Sequence, residues 1–236
     1  MAAHDWLPLL CPLLWNGQMP PLNQTSDPAR VVAAFDFDGT LTRGDSLGPF
    51  LVHFLGWPRF LGKLLLCSPW LLAYLLGLQS NHRAKAQLLK RCFAGQSSSE
   101  VDRAASEFVT TQLPKLWLDW GLAQLIEHQK KGHCCVIVSA SPSVYLHEVG
   151  RVLAVDAVLC TEMEVIDGRL TGLMASPNCH GEEKVRRLQD WREHGSGPPN
   201  WEELHAYGDS PADHPMLSIA TQAWYRGRPW KPGEST

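Results

Sequence analysis

Beyond residue 30, short apolar runs of strand length recur at 31–37, 134–139, 157–165, 204–207 and 222–225. Amphipathic stretches of helical length separate them, among them 118–131, ended by Gly132, and 182–194, ended by Gly195. Strands that alternate with helices pair in parallel and carry helices on both faces, so the pattern predicts an α/β fold around a Rossmann-like parallel sheet. Asp167-Gly168, inside "VIDGRLTG" at 165–172, is a hairpin turn signal, because these residue types tolerate the backbone a tight turn requires. "GSGPPN" at 195–200 reads as a loop.

Between the first two strands lies an insertion, 46–113, that reads as a helical cap, leaving 31–45 and 114–236 as the core. Its second half looks like ordinary helices: Ser80 or Asn81 can cap one running through Phe93, and "SSSE" at 97–100 has capping-box spacing. Its first half is strongly apolar over 47–78, and "LLLCSPWLLAYLLGL" at 64–78 carries no charge. That run is too short for a membrane span and holds Pro69 near its middle, so a buried or interfacial helical hairpin is expected. Two uses stay open. The hairpin packs on the core, or it offers an apolar surface to lipid while Arg59, Lys63, Arg83 and Lys85 meet anionic headgroups.

Residues 1–30 carry an apolar patch from Trp6 to Trp15, but Asp5 stands where a signal peptide is positive, and Pro8 and Pro12 interrupt the patch. They read as a flexible extension, with a membrane-touching segment as the alternative.

At 236 residues the chain suffices for one large domain, or one domain with an insertion. Its 21 basic and 24 acidic residues give a formal charge of −3, without the basic field that nucleic-acid binding needs. The seven cysteines, at 11, 67, 92, 134, 135, 160 and 179, lack zinc-site spacing and sit mostly in apolar runs. They read as reduced, buried small hydrophobes, which points to a cytoplasmic compartment, with the inner face of the membrane as the place of any lipid contact.

The chemistry gathers where strands end. "VVAAFDFDGTLT" at 31–42 finishes a buried strand with two acids, and a buried carboxylate is costly unless a metal ion, a lysine or water meets it. Reading the other strands to their ends adds Ser139, then Asp209 and Asp213 of "YGDSPAD", while Lys184 opens the helix after "NCHGEEK". Converging carboxylates repel, and Mg²⁺ offsets that repulsion. With Mg²⁺ and Lys184 neutralising charge, one aspartate could attack a phosphate ester and form an aspartyl-phosphate. The acid two residues on could protonate the leaving alkoxide and then deprotonate the hydrolytic water. Thr40, Ser139 and the amides of the Gly39 turn would bind phosphoryl oxygens. His180, His205 and His214 read as surface or loop histidines, because no triad partners accompany them.

"DFDGTLT", "IVSAS", "GEEK" and "GDSPAD" stand in the order and spacing of the haloacid dehalogenase superfamily, which the chain resembles over about 31–227. The resemblance implies the haloacid dehalogenase fold, with Asp36 as nucleophile and Asp38 as general acid/base whose backbone carbonyl also meets the metal. It further implies Thr40 and Ser139 as phosphate binders, Lys184 as charge neutraliser, Asp209 as a Mg²⁺ ligand and Asp213 as the acid that orients the metal's surroundings. The insertion's position resembles the helical cap of the phosphoserine-phosphatase-like branch. Within that branch "DGTLTRGDSLGPFL", "TGLMASPNCHGEEKV" and "GDSPADHPMLSIA" look most like the phosphatidylglycerophosphatase C group, which implies a lipid phosphate substrate.

A dehalogenase has no use for Asp38, and a phospho-accepting signalling module would not need so long a cap. A soluble phosphomonoester such as phosphoserine is the competing substrate. Asp45 and Ser46 are expected specificity positions: Asp45 could pair with a substrate ammonium and would disfavour an anionic glycerophosphate. The apolar cap argues for lipid instead, because acyl chains need apolar area.

Overall fold

The computed structural model describes residues 31–75, 81–194, 197–198 and 201–233; side chains at 71–75 and 81–82 lie outside that description. The extension 1–30, Gly195 and most of the 195–200 loop therefore lie outside the described residues as well.

In chain order the elements are β1 (Val31–Phe35), α1 (Leu47–Leu55), α2 (Trp57–Leu75), α3 (Asn81–Phe93), α4 (Ser98–Thr111), α5 (Asp119–Lys130), β2 (Cys134–Pro142) and α6 (Ser143–Val152). They continue as β3 (Ala157–Thr161), β4 (Met163–Ile166), β5 (Arg169–Met174), α7 (Glu182–His194), β6 (Glu203–Gly208), α8 (His214–Ser218), β7 (Gln222–Tyr225) and β8 (Arg228–Pro229). Six strands form one sheet in the order β3-β2-β1-β6-β7-β8, parallel except for β8, with helices against it. This is the α/β architecture expected.

A central parallel strand is buried on both faces, and β1 shows why its sequence is apolar at every position. Ala33 and Phe35 belong to one core, with Tyr145, Leu146 and Leu125, whereas Val32 and Ala34 belong to the other, with Leu188, Trp191 and Met216. Phe35 stacks on Tyr207 at 4.5 Å, and Tyr207 stacks on Trp224 at 4.6 Å, so neighbouring strands are bound through their side chains as well as their backbones.

The run 157–165, read as one strand, is two: β3 leaves the sheet after Thr161, and β4 pairs with β5 as a separate hairpin. Thr161 and Glu162 stand at the break, where the apolar run 157–160 gives way to the alternation of 162–165, but both patterns suit a strand, so periodicity reads straight across it. The hairpin turn itself is as expected, with Asp167 at φ 49° and Gly168 at φ 71°, the pair of positive angles that a two-residue turn of matching twist needs.

Helices α1 to α4 lie between β1 and β2. Helix α2 runs through Pro69 without ending, and α3 packs along it as a hairpin. Trp57, Leu61 and Leu65, spaced along one face, and the adjoining Leu66 are exposed at 52–68 %. Among the described residues no helix is long and apolar enough to cross a membrane. The capping box expected at "SSSE" does not form: Ser97 bonds to the Ser99 hydroxyl, and its side chain makes no bond to the helix amides. The six described cysteines are unpaired and buried, as the composition suggested.

Candidate active site

β1 ends between β2 and β6, where successive connections depart to opposite sides and a crevice opens at the strands' carboxyl ends. There the chain turns sharply: the amides of Thr40, Leu41 and Thr42 all converge on the Phe37 carbonyl, with Gly39 at φ 86° inside the turn. Asp36 and Asp38 flank the buried Phe37.

Lys184, 2 % exposed in the first turn of α7, bridges two carboxylates. Its Nζ donates to Asp36 Oδ1 at 2.7 Å and to Asp213 Oδ1 at 2.5 Å. The other oxygen of Asp213 accepts the amides of Asp209 and Ser210 at 3.2 and 2.9 Å and the Ser210 hydroxyl at 2.9 Å. Asp213 therefore organises the turn after β6 that carries Asp209.

Asp38 is held by a different set. Its Oδ1 accepts the Ser46 amide at 2.8 Å, and its Oδ2 accepts the Ser141 hydroxyl. Ser46 Oγ pairs in turn with the Tyr145 hydroxyl at 2.8 Å. Ser46, expected to face substrate, is fully buried, with its amide bound to the acid and its hydroxyl to Tyr145. Asp45 is exposed and caps α1 by accepting the Gly48 amide at 2.8 Å.

Burial dominates the protonation of this cluster. It pushes Asp36 up to about 8 against the pull of the Lys184 charge, with Asp213 and Asp38 adding to the rise. It raises Asp38 too, opposed by the Ser141 and Ser46 hydrogen bonds. Burial also lifts Asp209, helped by the charge of Asp213. Only Asp213 sits below the ordinary carboxylate range: burial opposes this, but the Lys184 charge and hydrogen bond and the Ser210 bonds outweigh it. Lys184, despite its burial, is held protonated by the two aspartates. One lysine thus faces more carboxylate charge than it neutralises, and the site calls for a second cation.

The residues fit Mg²⁺. Asp36, Asp209 and Asp213 bring carboxylate oxygens within 4.8 Å of one another. Asp209 Oδ1 and Thr40 Oγ1 are buried side-chain atoms without a hydrogen-bond partner, a costly condition that a hard cation beside the first and a phosphoryl group beside the second would relieve. Ser139, 1 % exposed, accepts the Ser141 amide at 3.1 Å and keeps its hydroxyl hydrogen to donate.

Sequence reasoning missed Ser141, Tyr145, Asn178 and the inward role of Lys85. Ser141 had a signal, because it follows Ser139 by two along a strand and so shares its side. Lys85 had none. Expected to meet headgroups, it instead donates to the Ala140 carbonyl and to Asn178 Oδ1 at 3.2 Å, tying α3 to the end of β2 between the two serines. His205 and His214 are packed rings, against His128 and Trp230 respectively, while His180 is exposed.

Comparison with known proteins gives a consistent picture. A family model described as haloacid dehalogenase-like hydrolase matches residues 33–218. Protein CicA of Caulobacter vibrioides is 32 % identical over 197 residues, covering 83 % of this chain and 86 % of that protein. Phosphoserine phosphatase SerB1 of Mycobacterium tuberculosis is 26 % identical, covering 94 % of this chain and 72 % of its own. In three dimensions a Bordetella pertussis protein of unknown function superposes with a TM-score of 0.71 at 24 % identity, over 83 % of this chain and 89 % of that one, which supports the fold.

Proposed function

For this chain, which belongs to the haloacid dehalogenase-like hydrolases, we propose Mg²⁺-dependent hydrolysis of a phosphomonoester through a phosphorylated Asp36. The observation that carries it is the division of labour between two neighbouring acids. Asp36 is bound to the Lys184 ammonium, whose charge draws it toward the carboxylate against the burial that raises it to about 8, and a bound cation would add to that pull, while Asp38, held by an amide and a hydroxyl, can carry a proton.

A carboxylate oxygen of Asp36 attacks phosphorus as the ester bond breaks, and Asp38 gives its proton to the departing alkoxide. Asp38 then takes a proton from the water that attacks the phosphoryl group, releasing phosphate and restoring Asp36. Lys184, the Thr40 hydroxyl and the Ser139 hydroxyl hold the phosphoryl oxygens, Asp36, Asp209 and the Asp38 carbonyl would hold the metal, and Asp213 would orient its surroundings. When bound, Mg²⁺ supplies positive charge that lets a phosphate dianion approach Asp36. Residues 46–113 act as the cap that excludes water during these steps.

We propose a lipid phosphate such as phosphatidylglycerophosphate as substrate. Its support is the exposed stripe of Trp57, Leu61, Leu65 and Leu66 on α2, beside the exposed Arg59, an arrangement suited to an anionic bilayer surface. A second reading, a small soluble phosphomonoester such as phosphoserine, is favoured by the opposite charges of Asp45 and Lys85, both close enough to Asp38 to shift its proton or feel its charge. It also matches the name of the Mycobacterium tuberculosis relative.

The test compares phosphate release from phosphatidylglycerophosphate in mixed micelles and from free phosphoserine, with Mg²⁺, for wild type and Asp36→Asn. Lipid preference that falls on replacing Leu61 and Leu65 by serine supports the lipid reading, and phosphoserine preference supports the second. Turnover that survives in Asp36→Asn overturns the mechanism.

A further inference from the structure

A second group of potential ligands lies outside the acid cluster. Cys160 is near the end of β3, Glu162 follows in the link to β4, and His147 faces them from α6. Cys160 Sγ donates to Glu162 Oε1 at 3.4 Å, and His147 Nε2 lies 3.2 Å from the same oxygen. One donor atom from each of the three lies within 4.8 Å of the other two.

Those separations suit a tetrahedral metal. Zinc binds sulfur at about 2.3 Å and nitrogen or oxygen at about 2.0–2.2 Å, so the edges between its ligands run roughly 3.3–3.6 Å. The oxygen-to-nitrogen and oxygen-to-sulfur distances here are already close to that. A thiol, an imidazole and a carboxylate together select a borderline-soft cation, whereas Mg²⁺ prefers oxygen alone.

The ligand-bearing backbone is held from both sides. Arg187 donates to the Cys160 carbonyl, the Glu162 amide donates to Ser176 Oγ at 3.0 Å, and the Met163 amide donates to Ser143 Oγ at 3.0 Å. Cys160 is fully buried, and His147 is exposed, so the cluster has a dry floor and a side open to water.

We propose that His147, Cys160 and Glu162 form a three-ligand site for a Zn²⁺-class ion, with the fourth position open to solvent. On binding, the Cys160 sulfur exchanges its proton for the metal and the proton passes to water. Occupancy would pin α6 to the end of β3. It adjoins the candidate active site, because Thr161, the residue between the two ligands, donates to the carbonyl of Ala140, which lies in β2 between Ser139 and Ser141, at 2.7 Å.

The test uses the full chain with saturating Mg²⁺, titrated with Co²⁺ as a spectroscopic stand-in and then with Zn²⁺. The expected result is a thiolate-to-cobalt charge-transfer band that saturates at one ion per chain and bleaches when Zn²⁺ displaces it. Cys160→Ala should abolish the band, and His147→Ala should weaken binding more than about 10-fold, since losing even an outer partner of a ligand costs that much. His147 is exposed, so its variant decides the matter if Cys160→Ala fails to fold. Absence of the band in wild type, or a band of undiminished affinity in His147→Ala, would overturn the proposal. Hydrolysis is not read, so the outcome is independent of the catalytic assignment.

Discussion

Asp209 Oδ2 lies 2.1 Å from where a β-carbon on Gly39 would sit, so the turn after β1 and the acid after β6 meet at a distance that only glycine permits. The positive φ of 86° at Gly39 excludes a larger residue a second time. Gly39→Ala should therefore push Asp209 aside and raise the Mg²⁺ concentration needed for half-maximal activity by at least about 10-fold, with a modest stability loss of about 1–2 kcal/mol from the left-handed backbone. Titration of activity with Mg²⁺ checks it; an unchanged Mg²⁺ requirement would remove Asp209 from the metal position.

Lys184→Met should keep the volume and strip the charge between Asp36 and Asp213. Removing one partner of a buried ion pair costs about 3–5 kcal/mol. In the variant both acids would have folded pKa values above their unfolded ones, so the folded state would bind the extra protons and the loss should shrink as pH falls. Urea unfolding at pH 8 and pH 5.5 measures this, and a loss independent of pH would contradict the charge argument.

Asp38→Asn should separate the two half-reactions. With a leaving group that needs no proton, such as p-nitrophenol, phosphorylation of Asp36 proceeds while hydrolysis of the intermediate slows by about 10²–10⁴-fold. Stopped-flow absorbance should show one equivalent of nitrophenolate released in a burst, then near silence. Slowing without a burst would deny Asp38 its role in the second step.

His128 introduces an acid sensitivity outside the aspartate cluster of the candidate site. Burial lowers its pKa to about 4, with the nearby charges of His205, His133 and Lys131 acting in the same direction. Its Nε2 pairs with the Tyr207 hydroxyl at 2.8 Å and its Nδ1 with His133 Nδ1 at 2.7 Å. The unfolded chain binds this proton near the ordinary 6.5 and the folded chain only near 4, so stability is full above about 6.5 and is lost as pH falls between the two values. Melting temperature should drop by several degrees between pH 7 and pH 5, given roughly 2–4 °C per kcal/mol at this chain length. His128→Gln should flatten that slope, and an equally steep variant would assign the sensitivity elsewhere.

Much of the candidate site is legible in the amino-acid sequence, because its signals are local. A buried strand that ends in Asp36 and Asp38, a helix that opens with Lys184, and the Asp167-Gly168 turn each announce themselves within a few residues. The parallel sheet follows from alternation alone, and its carboxyl edge then collects the acids. Contacts that reach across the chain are not legible in this way. The break between β3 and β4 falls at Thr161 and Glu162 inside a stretch whose pattern still suits one strand, and the inward turn of Lys85 depends on how α3 meets the end of β2 at Ala140.

Which residues could react, and which strand ends would present them, is therefore written in the chain itself, since backbone period and turn chemistry act over short spans. What surrounds those residues is settled only by folding: Ser46, which binds Asp38, is itself held by Tyr145, 99 residues away, and His147 is brought to Cys160 and Glu162. Hydrogen bonds, desolvation and metal ligation depend on separation in space and on the exclusion of water, and both arise only when distant segments pack around a shared core.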